Sequence, residues 1–258
     1  AIILAAGKGT RMQSDLPKVC HPVGDRPMVC AVVDVCLEAG CDRVVVVVGY
    51  KQELVREALA DYGDKVVFAV QEEQLGTGHA VMSALDSYKD SDTANTDIFV
   101  LCGDGPLIRT DTLNKLLDLH RSTGAAGTLA TSRIDDPSGY GRIVRNDEGS
   151  FARIIEQKNA SEVELKINEV NPSYYCVNAQ AMFDALEKVK RNELTGEYYI
   201  TDIFEYMLDA DRRVEVIDAV PPEDILSINT LEHLAQIDAI YRARQISNSD
   251  QKSQGTPS

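Results

Sequence analysis

An α/β fold built on a mainly parallel sheet, with an antiparallel lobe, follows from three observations. Short apolar, β-branched runs alternate with helix-period segments through the first 120 residues, the pattern of βαβ units covered on both faces. Beyond that point strand-like runs follow one another with few helices between them. The composition, 44% hydrophobic and 26% charged over 258 residues, is that of a globular chain large enough for one elaborated domain or a domain with a lobe.

Ala1-Ile-Ile-Leu-Ala5 is a short apolar run ended by Gly7, as expected of a buried parallel strand entering a loop. Pro27–Ala39 carries Met28, Val32, Val33, Val35, Cys36 and Ala39 at helical spacing and meets Gly40, a C-terminal stop. Arg43–Val48 is a β-branched strand, Glu53–Leu59 a helix and Lys65–Val70 a strand. Gly78–Leu85 reads as helix, Ile98–Leu101 as strand, and Thr110–His120 as a helix opened by a Thr or Asp cap. The lobe is expected from Gly127–Ile134, Arg142–Arg145, Phe151–Glu156 and Val170–Val177. Ala179–Val189 and Thr201–Leu208 then read as helices and Arg213–Ile217 as a closing strand. Residues 230–245 hold an amphipathic helix, and the Ser- and Gln-rich 246–258 are expected to be a polar, disordered tail. No internal repeat is present, and none of the hexapeptide β-helix type.

Bulk properties exclude several function classes. A net charge of −15 disfavours nucleic acid and anionic membranes as partners. No apolar run approaches the roughly 18 residues needed to span a bilayer. The six cysteines show no CxxC spacing and lie mostly among apolar residues, so they read as thiols in a reducing cytoplasm and not as a zinc site. No export signal opens the chain.

One stretch runs against the acidic background. Residues 1–18 hold Lys8, Arg11 and Lys18 against Asp15 alone, a local charge of +2. The three cations surround the glycines of Leu4-Ala5-Ala6-Gly7-Lys8-Gly9-Thr10-Arg11-Met12, followed by Leu16-Pro17-Lys18. In open α/β sheets ligands gather outside the carboxyl ends of strands. Small residues there let backbone N–H groups approach a base or phosphate, and the cations suit oxyanions. The spacing is not that of a P-loop, and Met12 stands where a dinucleotide fingerprint needs its third glycine. A generic glycine-rich turn with clustered cations is the bland alternative.

This segment is similar to the signature of the sugar-1-phosphate nucleotidylyltransferases. Further matches follow in that family's order to about residue 230. They are Gln71-Glu-Glu-Gln-Leu-Gly76-Thr77-Gly78-His79-Ala80, Cys102-Gly103-Asp104 with Pro106-Leu107, Gly139-Tyr140-Gly141-Arg142, Glu156, Glu169-Val-Asn171, Glu197-Tyr-Tyr-Ile-Thr-Asp202 and Asn229. The set most resembles the uridylyltransferase half of bifunctional N-acetylglucosamine-1-phosphate uridylyltransferases/glucosamine-1-phosphate acetyltransferases. The resemblance implies a Rossmann-like, three-layer nucleotide-diphospho-sugar transferase fold over 1–229, with a nucleotide-binding half (1–110) and a sugar-binding half (111–229).

The resemblance also implies roles. Leu4, Ala5, Ala6 and Gly7, with Gln71, Gly76, Thr77 and Gly103, would hold the nucleotide. Lys8, Arg11 and Lys18 would face the triphosphate, with Arg11, Lys18 and Asp104 the catalytic groups. Asp104 and Asn229 would bind Mg²⁺, which prefers oxygen ligands. Gly141, Glu156 and Asn171 would hold the sugar. Each residue also has a plain structural reading: Asp104 a turn cap, Gln71 a strand-edge amide, Glu156 a solvated strand residue, Asn229 a helix cap. Glu197–Asp202 is expected to pack and cap, and His21 and His79 to be structural.

The implied reaction joins UTP and N-acetylglucosamine 1-phosphate into UDP-N-acetylglucosamine and pyrophosphate. Two departures from the family pattern stand out: Gly105 is smaller than usual beside Asp104, and Asn171-Pro172-Ser173 replaces an Asn-Thr/Ser-Gly sequence. The second departure leaves open another sugar 1-phosphate (glucose, mannose or glucosamine), and a non-catalytic nucleotide-sugar-binding module is the remaining alternative. Without a β-helix the chain is expected to be a 28.3 kDa monomer lacking acetyl transfer.

Overall fold

The computed structural model describes residues 1–9, 12, 14–226, 228 and 230–254, the last seven as helix backbone. Its centre is four parallel strands: β1 (Ile2–Leu4), β4 (Val44–Val48), β5 (Val66–Val70) and β6 (Asp97–Cys102). β1 pairs with β4 on one side and β6 on the other, and β5 adds beyond β4. All five valines of β4 are buried, because a parallel strand between two helix layers has no solvent face. A small hairpin, β2 (Pro22–Val23) with β3 (Arg26–Pro27), precedes the first helix.

Beyond β6 the pairing changes sense. β10 (Glu169–Asn178) lies antiparallel to β6 and to β7 (Gly127–Arg133), and β11 (Val214–Asp218) closes that edge parallel to β7. The lobe is β8 (Gly141–Arg145) and β9 (Phe151–Ile155), with β8 joined to the start of β10. Among the described residues nine strands make one sheet, ordered β11-β7-β10-β6-β1-β4-β5, with β8 and β9 branching off β10.

Alternating side chains feed two cores. Ile3, Val46 and Leu101 pack against α1 (Met28–Glu38), α4 (Thr110–Thr123) and α7 (Leu231–Gln254). Ile2, Val47 and Val100 pack against α3 (Thr77–Ala84), α5 (Ala179–Leu186) and α6 (Ile203–Asp209). Helix α2 (Gln52–Ala58) follows β4. The three-layer expectation is met.

Three local expectations are corrected. Residues 246–254, expected as tail, continue α7; they hold no glycine or proline, and Gly255 is the first breaker. Helix α4 is not capped by Thr110: its hydroxyl goes to Glu38 (2.8 Å), and the cap position is Arg109, without a side-chain cap bond. At the start of α7, Thr230 Oγ1 accepts the His233 N–H (3.2 Å), so Thr230 supplies the cap oxygen expected of Asn229, which lies outside the described residues.

Two buried carboxylates tie the layers together. Glu169 accepts from Arg145 (2.6 and 2.9 Å), Arg133 (2.8 Å) and Thr131 (3.1 Å), bracing β7, β8 and β10. Burial alone would raise its pKa; the two guanidinium groups overcome that and hold the carboxyl below its usual value. Asp224, 0% exposed, accepts from Arg109 (3.0 Å) and from Arg244 of α7. Arg244 also donates to Leu107 O (3.1 Å), so the last helix grips the loop that follows Asp104.

Candidate active site

Strand pairing sets the site. Leu4 lies opposite Cys102 in the β1–β6 ladder, so the glycine-rich loop and the Gly103-Asp104 turn leave the sheet side by side. The Gly103 N–H donates to Leu4 O (2.9 Å). Gly9 has φ 67°, and a Cβ there would stand 2.6 Å from the Lys18 Cβ; only glycine lets the loop fold back onto Lys18. Lys18 then pairs with the Asp104 carboxylate.

A cavity of about 290 Å³ opens here, walled by Leu4, Ala5, Ala6, Gly7, Gln71 and Gly76 and reaching Lys18 and Asp104. Its amides are oriented by backbone. Gln71 Nε2 donates to Gly76 O (3.0 Å) and lies 3.2 Å from His79 Nδ1, which leaves the amide oxygen as the end available to a base. Gln74 Nε2 donates to Ala6 O (2.9 Å).

A second cavity, about 250 Å³, lies on the lobe side and is lined by Glu156, Lys158, Ser173, Tyr175, Tyr199 and Thr201, among others. Leu4, Thr77, Cys102 and Glu197 belong to both walls. The Glu156 carboxyl has a raised pKa, chiefly because burial penalises its anion, partly offset by the Thr201 hydroxyl at 3.2 Å. Asp202 is pushed up to about 6 by burial and by the nearby Glu205 and Glu156. Cys102 is pushed up to about 12, by burial first and then by the Asp104 charge, so it meets the cavities as a neutral thiol.

Two adjoining cavities, one of them lined by a lysine–aspartate pair, suit a nucleotide on one side and its acceptor on the other. A family model described as the MobA-like NTP transferase domain matches residues 1–209. The chain belongs to the MobA-like NTP transferase family. It is a nucleotidyltransferase. The "Bifunctional protein GlmU" of Desulfotalea psychrophila is 42% identical over 244 residues, covering 95% of this chain and 70% of that protein. The proteins of the same name from Syntrophomonas wolfei and Geobacter metallireducens are each 43% identical across 95% of this chain, which covers 53% and 50% of their lengths. The chain thus spans about half the length of these two relatives. Among solved structures, UDP-glucose pyrophosphorylase complexed with UDP-glucose superposes with a TM-score of 0.74 at 20% identity, covering 94% of this chain and 98% of that one. A putative glucose-1-phosphate thymidylyltransferase from Bacillus anthracis gives 0.75 at 20% identity, over 93% and 94%. At that identity the likeness establishes the α/β fold.

In this transferase most of the expected nucleotide residues share one cavity: Leu4, Ala5, Ala6, Gly7, Gln71, Gly76, Thr77, Lys18 and Asp104 all line it. Lys8 does not; its ammonium sits 5.3 Å from the Tyr50 ring centre. Gly103 acts through its backbone bond to Leu4. Arg11 and Asn229 lie outside the described residues. Of the sugar residues, Glu156 lines the second cavity, while Gly141 and Asn171 stand behind it, opposite each other in the β8–β10 ladder. The Asn171 amide is spent internally, accepting from Ser173 N–H (3.1 Å) and donating to Tyr175 OH (2.7 Å).

Several wall residues escaped the sequence reading. Glu197, Tyr199 and Thr201, expected to pack and cap, line the lobe-side cavity, and the Asp202 side chain makes no cap bond to α6. The Tyr198 backbone explains their position. It bonds to Leu75 O (2.7 Å) and Gly78 N (2.8 Å), drawing 197–201 across the gap between the halves. The motif Glu197-Tyr-Tyr-Ile-Thr-Asp202 was the available signal.

Proposed function

We propose that this transferase moves a uridylyl group from UTP to N-acetylglucosamine 1-phosphate, giving UDP-N-acetylglucosamine and pyrophosphate. The observation that supports it is the shared wall of the two cavities at Leu4, Thr77, Cys102 and Glu197, beside the Lys18–Asp104 pair that lines the first, where an α-phosphate on one side would meet a sugar phosphate on the other. Uracil would lie against Leu4–Gly7, Gln71 and Gly76-Thr77, whose amide and backbone groups can match one base edge. A sugar-phosphate oxygen would attack the α-phosphorus as pyrophosphate leaves in line. That oxygen is already ionised at neutral pH, so no general base is required, and catalysis is positioning plus charge neutralisation.

Lys18, with Arg11, would offset the charge building on the departing phosphates. Asp104 is a partly exposed oxygen donor facing the nucleotide cavity, which suits Mg²⁺, an ion that keeps several waters and phosphate oxygens in its shell. Held by Asp104 and Asn229, Mg²⁺ would supply further neutralisation of the triphosphate. Among the described residues no helix is long and apolar enough to cross a membrane. The free cysteines suit a reducing compartment, and the cytoplasm is where we place the reaction.

A second reading, another sugar 1-phosphate as acceptor, is favoured by Ser173 in the wall of the lobe-side cavity. A pyrophosphate-release assay across nucleoside triphosphates and sugar 1-phosphates tests both. The expected result is highest kcat/KM for UTP with N-acetylglucosamine 1-phosphate. Release with a different pair and not with this one would overturn the assignment.

A further inference from the structure

Ser173 is a non-glycine residue in the left-handed region, with φ 65°, a conformation that opposes any Cβ. It lies where the register of β10 against β7 slips between Val170 and Tyr174. Such a bulge re-aims side chains, and Pro172, with no N–H to pair, is tolerated there. The turn is held from behind by the Asn171 Oδ1 bond to the Ser173 N–H (3.1 Å). It places Ser173 in the wall of the 250 Å³ cavity, beside Cys102 and Tyr175.

The floor of this cavity is Leu4, Val100, Leu101 and Cys102 of the sheet, which offers carbon and a thiol. Ser173 and Tyr175 bring hydroxyls to it, while the amide of Asn171 is occupied in holding both. Strain kept at a cavity wall points to a function. Resting on the reading of this cavity as the sugar pocket, we infer that Ser173 determines acceptor specificity: its hydroxyl hydrogen-bonds the pyranose of the sugar 1-phosphate. Asn171 is the positioning residue behind it, acting through the Ser173 amide and Tyr175. The polar contact expected of Asn171 has passed two residues along the chain. A serine hydroxyl both donates and accepts, so it fits a ring hydroxyl or an acetamido group, either of which also does both.

The test is steady-state kinetics and thermal melting of the whole chain as wild type, Ser173→Ala and Ser173→Gly. Kinetics are measured on the sugar 1-phosphate that the wild-type protein turns over. A wrong sugar thus overturns the function proposed above and leaves this test in place. Ser173→Ala keeps the Cβ and loses the hydroxyl; KM for the sugar 1-phosphate should rise roughly 3- to 10-fold, the loss of one neutral hydrogen bond, with KM for UTP unchanged. Ser173→Gly should show the same rise yet melt no lower than wild type, since the left-handed backbone no longer opposes a side chain. A merely structural residue would move the melting temperature and not the sugar KM. Sugar KM within twofold of wild type in Ser173→Ala, or an equal rise in KM for UTP, would overturn the assignment.

Discussion

Gly76→Ala puts the seam between the two halves to a direct test. Gly76 has φ 103° and ψ 179°, a region essentially reserved for glycine, where a side chain costs about 1–3 kcal/mol. An added Cβ would also sit 2.5 Å from Tyr198 O and 2.9 Å from Tyr198 N. Both are backbone atoms fixed by the 2.7 Å and 2.8 Å bonds to Leu75 and Gly78, so neither can rotate away. Overpacking of this kind adds about 1–3 kcal/mol, for a total of about 2–6 kcal/mol. In a domain of this size that corresponds to a fall in melting temperature of roughly 5–20 °C. Whatever fraction folds should bind both substrates poorly, because Thr77 and Glu197 on either side of the seam line both cavities. Differential scanning calorimetry gives the first quantity, and KM for UTP and for the sugar 1-phosphate gives the second. A variant melting within 2 °C of wild type by calorimetry, with both KM values intact, would refute the reasoning about this seam.

Asp104→Asn should lower turnover by at least about a hundredfold with little change in melting temperature, checked by pyrophosphate release and calorimetry; full activity would remove Asp104 from the metal site. Lys18→Ala should harm kcat more than Lys8→Ala, because Lys18 lines the nucleotide cavity whereas Lys8 lies over Tyr50; equal losses at saturating UTP would sink that order. Asp202→Asn should raise the melting temperature most above pH 6. The folded protein raises the Asp202 pKa from 3.8 to about 6, so the aspartate adds no penalty where both states are protonated. The penalty grows as pH rises past 3.8 and is complete above about 6. A gain that was the same at pH 4 and pH 8 would contradict this sign.

The cavity around Leu4–Gly7 is legible in the sequence because its residues are local. Leu4–Gly7 and Lys18 sit within one strand and its loop, and their glycine and cation spacing carries the geometry. Gln71 and Asp104 each follow a strand of the same parallel sheet, so one topological rule brings all of them to one end. The lobe-side cavity depends on where a bulge aims three neighbouring residues, which no periodicity reports. Asn171, expected at the sugar, stands behind the cavity wall, and Ser173, a departure from the family pattern, is in it. The place of Glu197 and Thr201 in the cavity wall is hidden for a similar reason, since it is set by Tyr198 backbone bonds to a loop more than a hundred residues earlier. The full length of α7 is hard to read because residues 246–254 are polar, yet they are helix-compatible and hold no breaker.

The clasp of Asp224 by Arg109 and Arg244 bears on how the protein can be shortened. A deletion that removed Arg244 would leave a fully buried carboxylate with half of its cationic company, and losing one partner of such a group is strongly destabilising. It would also release the Leu107 carbonyl, a few bonds from the turn that presents Asp104. A stable fragment therefore extends past Arg244, well beyond residue 209 where the match to the family model stops. The last helix belongs to the folded unit as a splint, and a boundary drawn at the end of the family model would remove it.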